Sequence, residues 1–168
     1  MQPMTLIAFF TRQLNAEAAA TRKMLERVPQ AKFDWKPHPK SMTLKALAEH
    51  VAELPSWIGV VFTTSELDFA AGDYSPERVS TTPELLELFN RNLESANDFF
   101  SKASDSDLLP DWVMRSGDTI HMKVPKEEVI RTSISQLIHH RAQLGVYLRL
   151  LDIPIPGSYG PSADENEM

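Results

Sequence analysis

The sequence predicts a mostly α-helical single domain, and three observations carry that reading. Four segments repeat apolar residues at three-and-four spacing, the period of one buried helix face. The material between them is rich in Pro, Ser, Asp and Gly, the residues of turns and loops. At 168 residues without a cysteine, the chain is long enough to bury a core unaided and has no disulfide to staple it.

The first helix is expected from about Thr5 to Val28, with Leu6, Phe9, Phe10, Gln13, Ala16, Ala20 and Met24 on its buried face, and Pro29 ends it. The second starts after Ser41 or Thr43, either a good N-cap, and sets Leu44, Leu47, Val51, Leu54 and Ile58 on one stripe. Pro55 falls inside that stripe and predicts a kink or an early break. The third opens with Thr82 as cap, Pro83 at the first helical position and Glu84 at the positive end of the dipole. Leu85, Phe89, Leu93, Ala96 and Phe100 form its core face. The fourth begins after Pro125 and runs to about Leu151, carrying Val129, Ile130, Ile134, Leu137, Leu144, Leu148 and Leu151 inward, and Pro154 and Pro156 stop it.

The three connections are roughly 15 to 22 residues long, against about two to eight between neighbouring bundle helices, so at least one crosses the bundle or lines a site. In the third, Trp112 to Arg115 and Thr119 to Met122 alternate apolar and polar around Ser116-Gly117-Asp118, the pattern of a short β-hairpin. The ordered core is expected at about 5–153. The Pro- and Gly-rich tail, 154–168, cannot be helical and is expected to fold back over a bundle end before fraying, with Asp164 and Glu165 in a solvated acidic terminus.

Seventeen Lys and Arg against 23 Asp and Glu give a formal charge of −6, and no cationic run exceeds Arg22-Lys23. That excludes a phosphate-backbone partner, which needs clustered cations. No stretch of about 18 apolar residues spans a membrane, and the first residues lack the basic region of a signal peptide, so a cytoplasmic location is expected. Without cysteine, sulfur chemistry requires a thiol brought by a cofactor or substrate.

Five histidines are candidates for chemistry. His38, in a Pro-rich loop, and His121, in the hairpin, read as solvated. His50 borders the apolar stripe of the second helix between Leu47 and Leu54, and His140 faces the core of the fourth between Leu137 and Leu144. His139, one step round, faces the rim or a subunit contact. An inward imidazole needs partners on both nitrogens, and either a metal or a satisfied core site supplies them. Gln136, Ser133 and Tyr147 extend a polar stripe through His140, and Glu53 lies one turn after His50. Bundle cores build metal sites from such facing side chains. Arg141 either anchors an anionic cofactor or pairs with an acidic neighbour. Gln143 holds a backbone carbonyl, Tyr147 lines the site or packs, and Trp57, two turns after His50, either walls a pocket or packs in the core.

The stretch from Phe33 to His50, with Trp35, Pro37, Pro39 and Leu44-Lys45-Ala46-Leu47, resembles the first signature of the DinB family of metalloenzymes. The run His139-His140-Arg141-Ala142-Gln143-Leu144, followed by Ile153-Pro154-Ile155-Pro156-Gly157, resembles the second. The resemblance implies an all-α four-helix bundle of up-down-down-up topology, commonly a homodimer, holding one divalent ion, zinc or nickel, on three histidines. Two of these are His50 and His140. The third position, first in the family's His-x-x-x-His, is Gln136 here, whose amide oxygen is a weaker donor for such a metal. Glu53 is the outside candidate. Some relatives are thiol-dependent transferases that use a low-molecular-weight thiol, and Arg141 and Tyr147 are the candidate cofactor contacts of this chain.

Three functions follow as expectations. The first is a metal-dependent S-transferase acting on a small electrophilic substrate. The second is a non-catalytic bundle whose degenerate site serves dimerisation or partner binding. The third is a metal-dependent hydrolase.

Overall fold

The computed structural model describes residues 4–72 and 74–165. Among these, the chain forms five α-helices and a three-stranded mixed sheet. The fold is therefore mixed α/β, and the expected all-α four-helix bundle is corrected. Two local causes produce the difference.

The first is Pro55. The second predicted helix is two: α2 (Leu44–Glu53), capped by Thr43 whose hydroxyl accepts from Ala46 N, and α3 (Ser56–Thr63). A proline cannot donate to the helix ladder, so the chain restarts there. The carbonyls at the break are taken by other helices: Ser133 Oγ donates to Leu54 O at 2.7 Å, and Asn92 Nδ2 to Ala52 O at 3.0 Å. The second cause is β1 (Glu66–Asp68), a three-residue strand that pairs in parallel with β2 (Asp111–Ser116). Parallel strands need a long crossover, and α4 (Thr82–Lys102) supplies it.

The hairpin appears as expected. β2 pairs antiparallel with β3 (Thr119–Pro125), Met114 standing opposite Met122, with an irregularity between Met114 and Arg115. Gly117 turns the corner at φ 56°, the left-handed backbone that a two-residue hairpin loop asks of a glycine. Arg115 ties β1 down through Glu66 (2.7 Å) and Asp68 (2.6 Å).

The long helices are α1 (Leu6–Glu26), α4 and α5 (Lys126–Leu150). α1 packs on α4 and α5, and α2 and α3 pack on the same two helices. The α4 cap is Thr81, not Thr82: Thr81 accepts from Glu84 N, whereas the Thr82 hydroxyl donates to Val28 O.

The face of α1 is also corrected. Phe10 and Met24 are buried as expected, but the face also takes Ile7, Leu14, Ala18 and Leu25 together with Glu17 and Thr21, while Leu6 and Phe9 remain 42% and 39% exposed. A charged residue displaces apolar ones because its partner waits on α5. Arg141 Nη2 lies 2.8 Å from Glu17 Oε2, and Arg141 Nη1 donates to Glu17 O and Thr21 Oγ1. Both charged side chains are 3% exposed.

The tail folds back as expected, onto α1 and α5. Tyr159 donates its hydroxyl to Glu17 Oε2 at 2.8 Å. Asp164 and Glu165 are not free acids, because they pair with Arg149 and Arg27. Asn166 to Met168 lie outside the described residues. No helix is long and apolar enough to cross a membrane among the described residues.

Candidate metal centre

α2 and α5 run against each other where the proline break ends α2, and this contact brings His50 and His140 together. Their ring centroids are 4.6 Å apart and the planes cross at 76°. Both side chains are half-buried. Two imidazolium ions at that distance would repel, and His140 is held below the usual histidine range by burial first, then by the neighbouring His50 and His139.

The outer nitrogens are assigned. His140 Nδ1 lies 2.9 Å from Gln143 Oε1, an acceptor, so the neutral ring carries its proton on Nδ1 and its lone pair on Nε2. Gln143 thus orients a histidine rather than holding a carbonyl. His50 Nδ1 faces the Glu53 carboxylate at 3.8 Å. Glu53 accepts the Tyr74 hydroxyl at 2.8 Å, and burial together with that bond pushes the phenol above its ordinary value. Neither histidine Nε2 has a hydrogen-bond partner among the described residues.

Beside the pair lies a cavity of about 170 Å³. His50, His140 and Gln136 line it with Thr132 and Ser133, and Leu54, Trp57, Met114, Met122 and Val129 form the apolar remainder. Trp57 thus walls a pocket, as its spacing allowed. The two methionines come from the hairpin, and sequence spacing gave no sign of them because no local period connects a β-turn to a helix surface.

The other candidates lie elsewhere. Arg141 points into the Glu17 ion pair, so its guanidinium is committed. Tyr147 is absent from the cavity wall; its ring packs edge-on against Trp35 at 5.7 Å and its hydroxyl reaches Met42 O. Glu53 stands behind His50 as a supporting carboxylate and is likewise absent from the wall. His38 and His121 are exposed, as is His139.

The donor set suits a metal ion incompletely. Two imidazoles with free Nε2 atoms converge, each backed at Nδ1 by a polar side chain, the usual arrangement behind a ligating histidine. Gln136, an exposed residue whose amide oxygen can ligate a metal, lines the same space. Among the described residues, no group of three or more His, Asp or Glu is placed to hold a metal.

A helical domain with a histidine pair set between two helices and roofed by a hairpin is the class that fold and site define. The DinB family model matches residues 1–167, and the chain belongs to the DinB family. The chain is 23% identical over 156 residues to the uncharacterized protein YrdA of Bacillus subtilis (strain 168), covering 93% of this chain and 89% of that protein. Its fold is similar to the crystal structure of the DinB-like protein YjoA from Bacillus subtilis, with a TM-score of 0.67, 16% identity, and 95% and 99% of the two chains covered. A DinB-like protein from Bacillus cereus ATCC 10987 is similar at a TM-score of 0.67 and 22% identity, covering 89% of this chain and 95% of that one. At these identities the likeness speaks to the fold.

Proposed function

We propose that His50 and His140 are the anchoring ligands of a divalent metal centre, zinc or nickel, that serves chemistry on a small electrophile. The convergence of the two rings, 4.6 Å apart with both Nε2 atoms unpartnered, carries the reading. When bound, the ion supplies a Lewis acid that lowers the pKa of a water or thiol beside it. The chain's own residues do the positioning. Gln143 fixes the His140 tautomer, Glu53, held by the Tyr74 hydroxyl, stands 3.8 Å from His50 Nδ1, and Gln136 is the neutral residue at the third position. Trp57, Met114 and Met122 keep bulk water from the reacting face. Because the chain has no cysteine, a thiol nucleophile in a transfer reaction comes from a second molecule. Water in its place gives hydrolysis.

A second reading is favoured by one observation, the lack of a third strong donor among the described residues. On that reading the site is degenerate and the domain works by binding a partner. Metal content of tag-free protein separates the two. About one ion per chain, lost in both His50→Ala and His140→Ala, is the expected result. No bound metal after reconstitution with zinc, nickel or manganese overturns the metal centre in favour of partner binding.

A further inference from the structure

The wall of the histidine cavity carries no Lys, Arg, Asp or Glu. Its apolar part is Leu54, Trp57, Val129 and the cross-strand pair Met114 and Met122. The Ser133 hydroxyl is already given to Leu54 O, so the polar residues left to the space are the two histidines, Gln136 and Thr132, all of them uncharged side chains or imidazoles. Two arginines of α5 lie nearby, and neither lines the cavity wall. Arg141 is sealed against Glu17, and Arg131, beside the adjoining surface depression at His139, is paired with Glu128 at 2.7 Å. The nearby carboxyl group, Glu53, stands behind His50 and outside the wall. With no metal on the histidines, a charged ligand would therefore lose its hydration here without gaining a counter-charge from a side chain of the wall, a large cost in an apolar space.

We infer that this cavity takes a small, uncharged, largely apolar molecule, its polar end toward His50 and His140 and its body against the methionine pair and Trp57. This rests on the reading of the cavity as the functional site. It narrows the substrate class to molecules with no carboxylate or ammonium on the part that lies against the methionine pair and Trp57. The two thioether side chains suit such a role, because methionine adapts its shape to varied apolar surfaces and contacts aromatic rings favourably.

The full chain, labelled with carbon-13 at its methionine methyls and freed of metal by chelator, provides the test. It is titrated with benzyl alcohol, benzoate and benzylamine, which share nearly one shape and differ in charge. Saturable shifts of the Met114 and Met122 methyls with benzyl alcohol are expected, with both ions binding about tenfold or more weakly. Met24, which lines a separate cavity beneath the tail, should stay unshifted. Benzoate or benzylamine binding as tightly as benzyl alcohol, shifts confined to Met24, or no saturable shift with any probe overturns the inference. Met122→Lys, at a half-buried position on the hairpin, should raise benzoate above benzyl alcohol; an unchanged order counts against it. The titration needs no metal. A chain that selects benzyl alcohol but never binds metal defeats the metal centre alone, and a chain that binds metal without charge selection defeats this inference alone.

Discussion

His140 and Arg141 are consecutive residues of α5, yet one helix step separates an open site from a closed one. Arg141 turns toward α1, where Glu17 and Thr21 hold its buried guanidinium. The Tyr159 ring lies 5.4 Å from the guanidinium carbon and covers it from above. Gln13 adds a further donor to Glu17 at 3.0 Å. His140 turns toward α2 and keeps a free nitrogen at the edge of a cavity. Polar groups in both places are half or wholly removed from water, so polarity alone does not mark function. What distinguishes them is unspent hydrogen-bonding capacity facing a space large enough for another molecule.

The comparison breaks most readily at the closed cluster. Arg141→Ala leaves Glu17 buried without its counter-charge and is expected to cost about 3–5 kcal/mol. His140→Ala should cost no more than about 1 kcal/mol, since it removes a half-buried ring with no ion pair of its own. Urea unfolding of the two variants compares them directly, and equal costs would erase the distinction. The double replacement Glu17→Leu with Arg141→Met should recover most of the loss, because a packed apolar pair avoids desolvating two charges.

At the open site, Gln136→His places a third imidazole one turn before His140. Zinc affinity, measured against a competing chelator, should rise on the order of tenfold or more. No gain would show that Gln136 does not face the position a third ligand needs. A smaller effect is expected for Tyr159→Phe, about 1 kcal/mol for one hydrogen bond, visible as a lower melting temperature.

The smallest effect concerns pH. Burial first, then the bond to Glu17, raises Tyr159 above its ordinary value of 10.0. A group whose folded value is raised stabilises the fold fully below its unfolded value and loses that contribution as pH rises through the folded one. The margin of the native chain over Tyr159→Phe should thus be constant up to about pH 10 and shrink above it. A margin independent of pH between 7 and 11 would remove the hydroxyl from the cluster.

Much of the helical layer was legible because its signals are local. The Pro29 and Pro55 stops, the Thr43 cap and the Gly117 turn each depend on neighbours within a few residues. β1 was not legible, since three residues carry no period and their partner strand lies beyond α4. The face of α1 was misread for a related reason. Glu17 looks like a surface residue until Arg141 arrives from 124 positions away. In the site, His50 and His140 stood out as polar breaks in apolar stripes. Met114 and Met122 did not, because only the folding of the hairpin over α2, α3 and α5 turns two ordinary apolar residues into a cavity wall.

The bond from Tyr159 to Glu17 spans 142 residues. During synthesis, Glu17 is therefore made early and waits through nearly the whole chain, first for Arg141 and then for the tyrosine that covers the pair. Helices α1 to α4 can collapse on their apolar faces while the carboxylate is still hydrated, but native packing of α1 must await α5. The late arrival of its partners leaves the Glu17 side of α1 uncovered, together with the α5-facing sides of α2 and α3, and a ribosome stalled before Arg141 would present the Glu17 carboxylate without its counter-charge to chaperones and proteases.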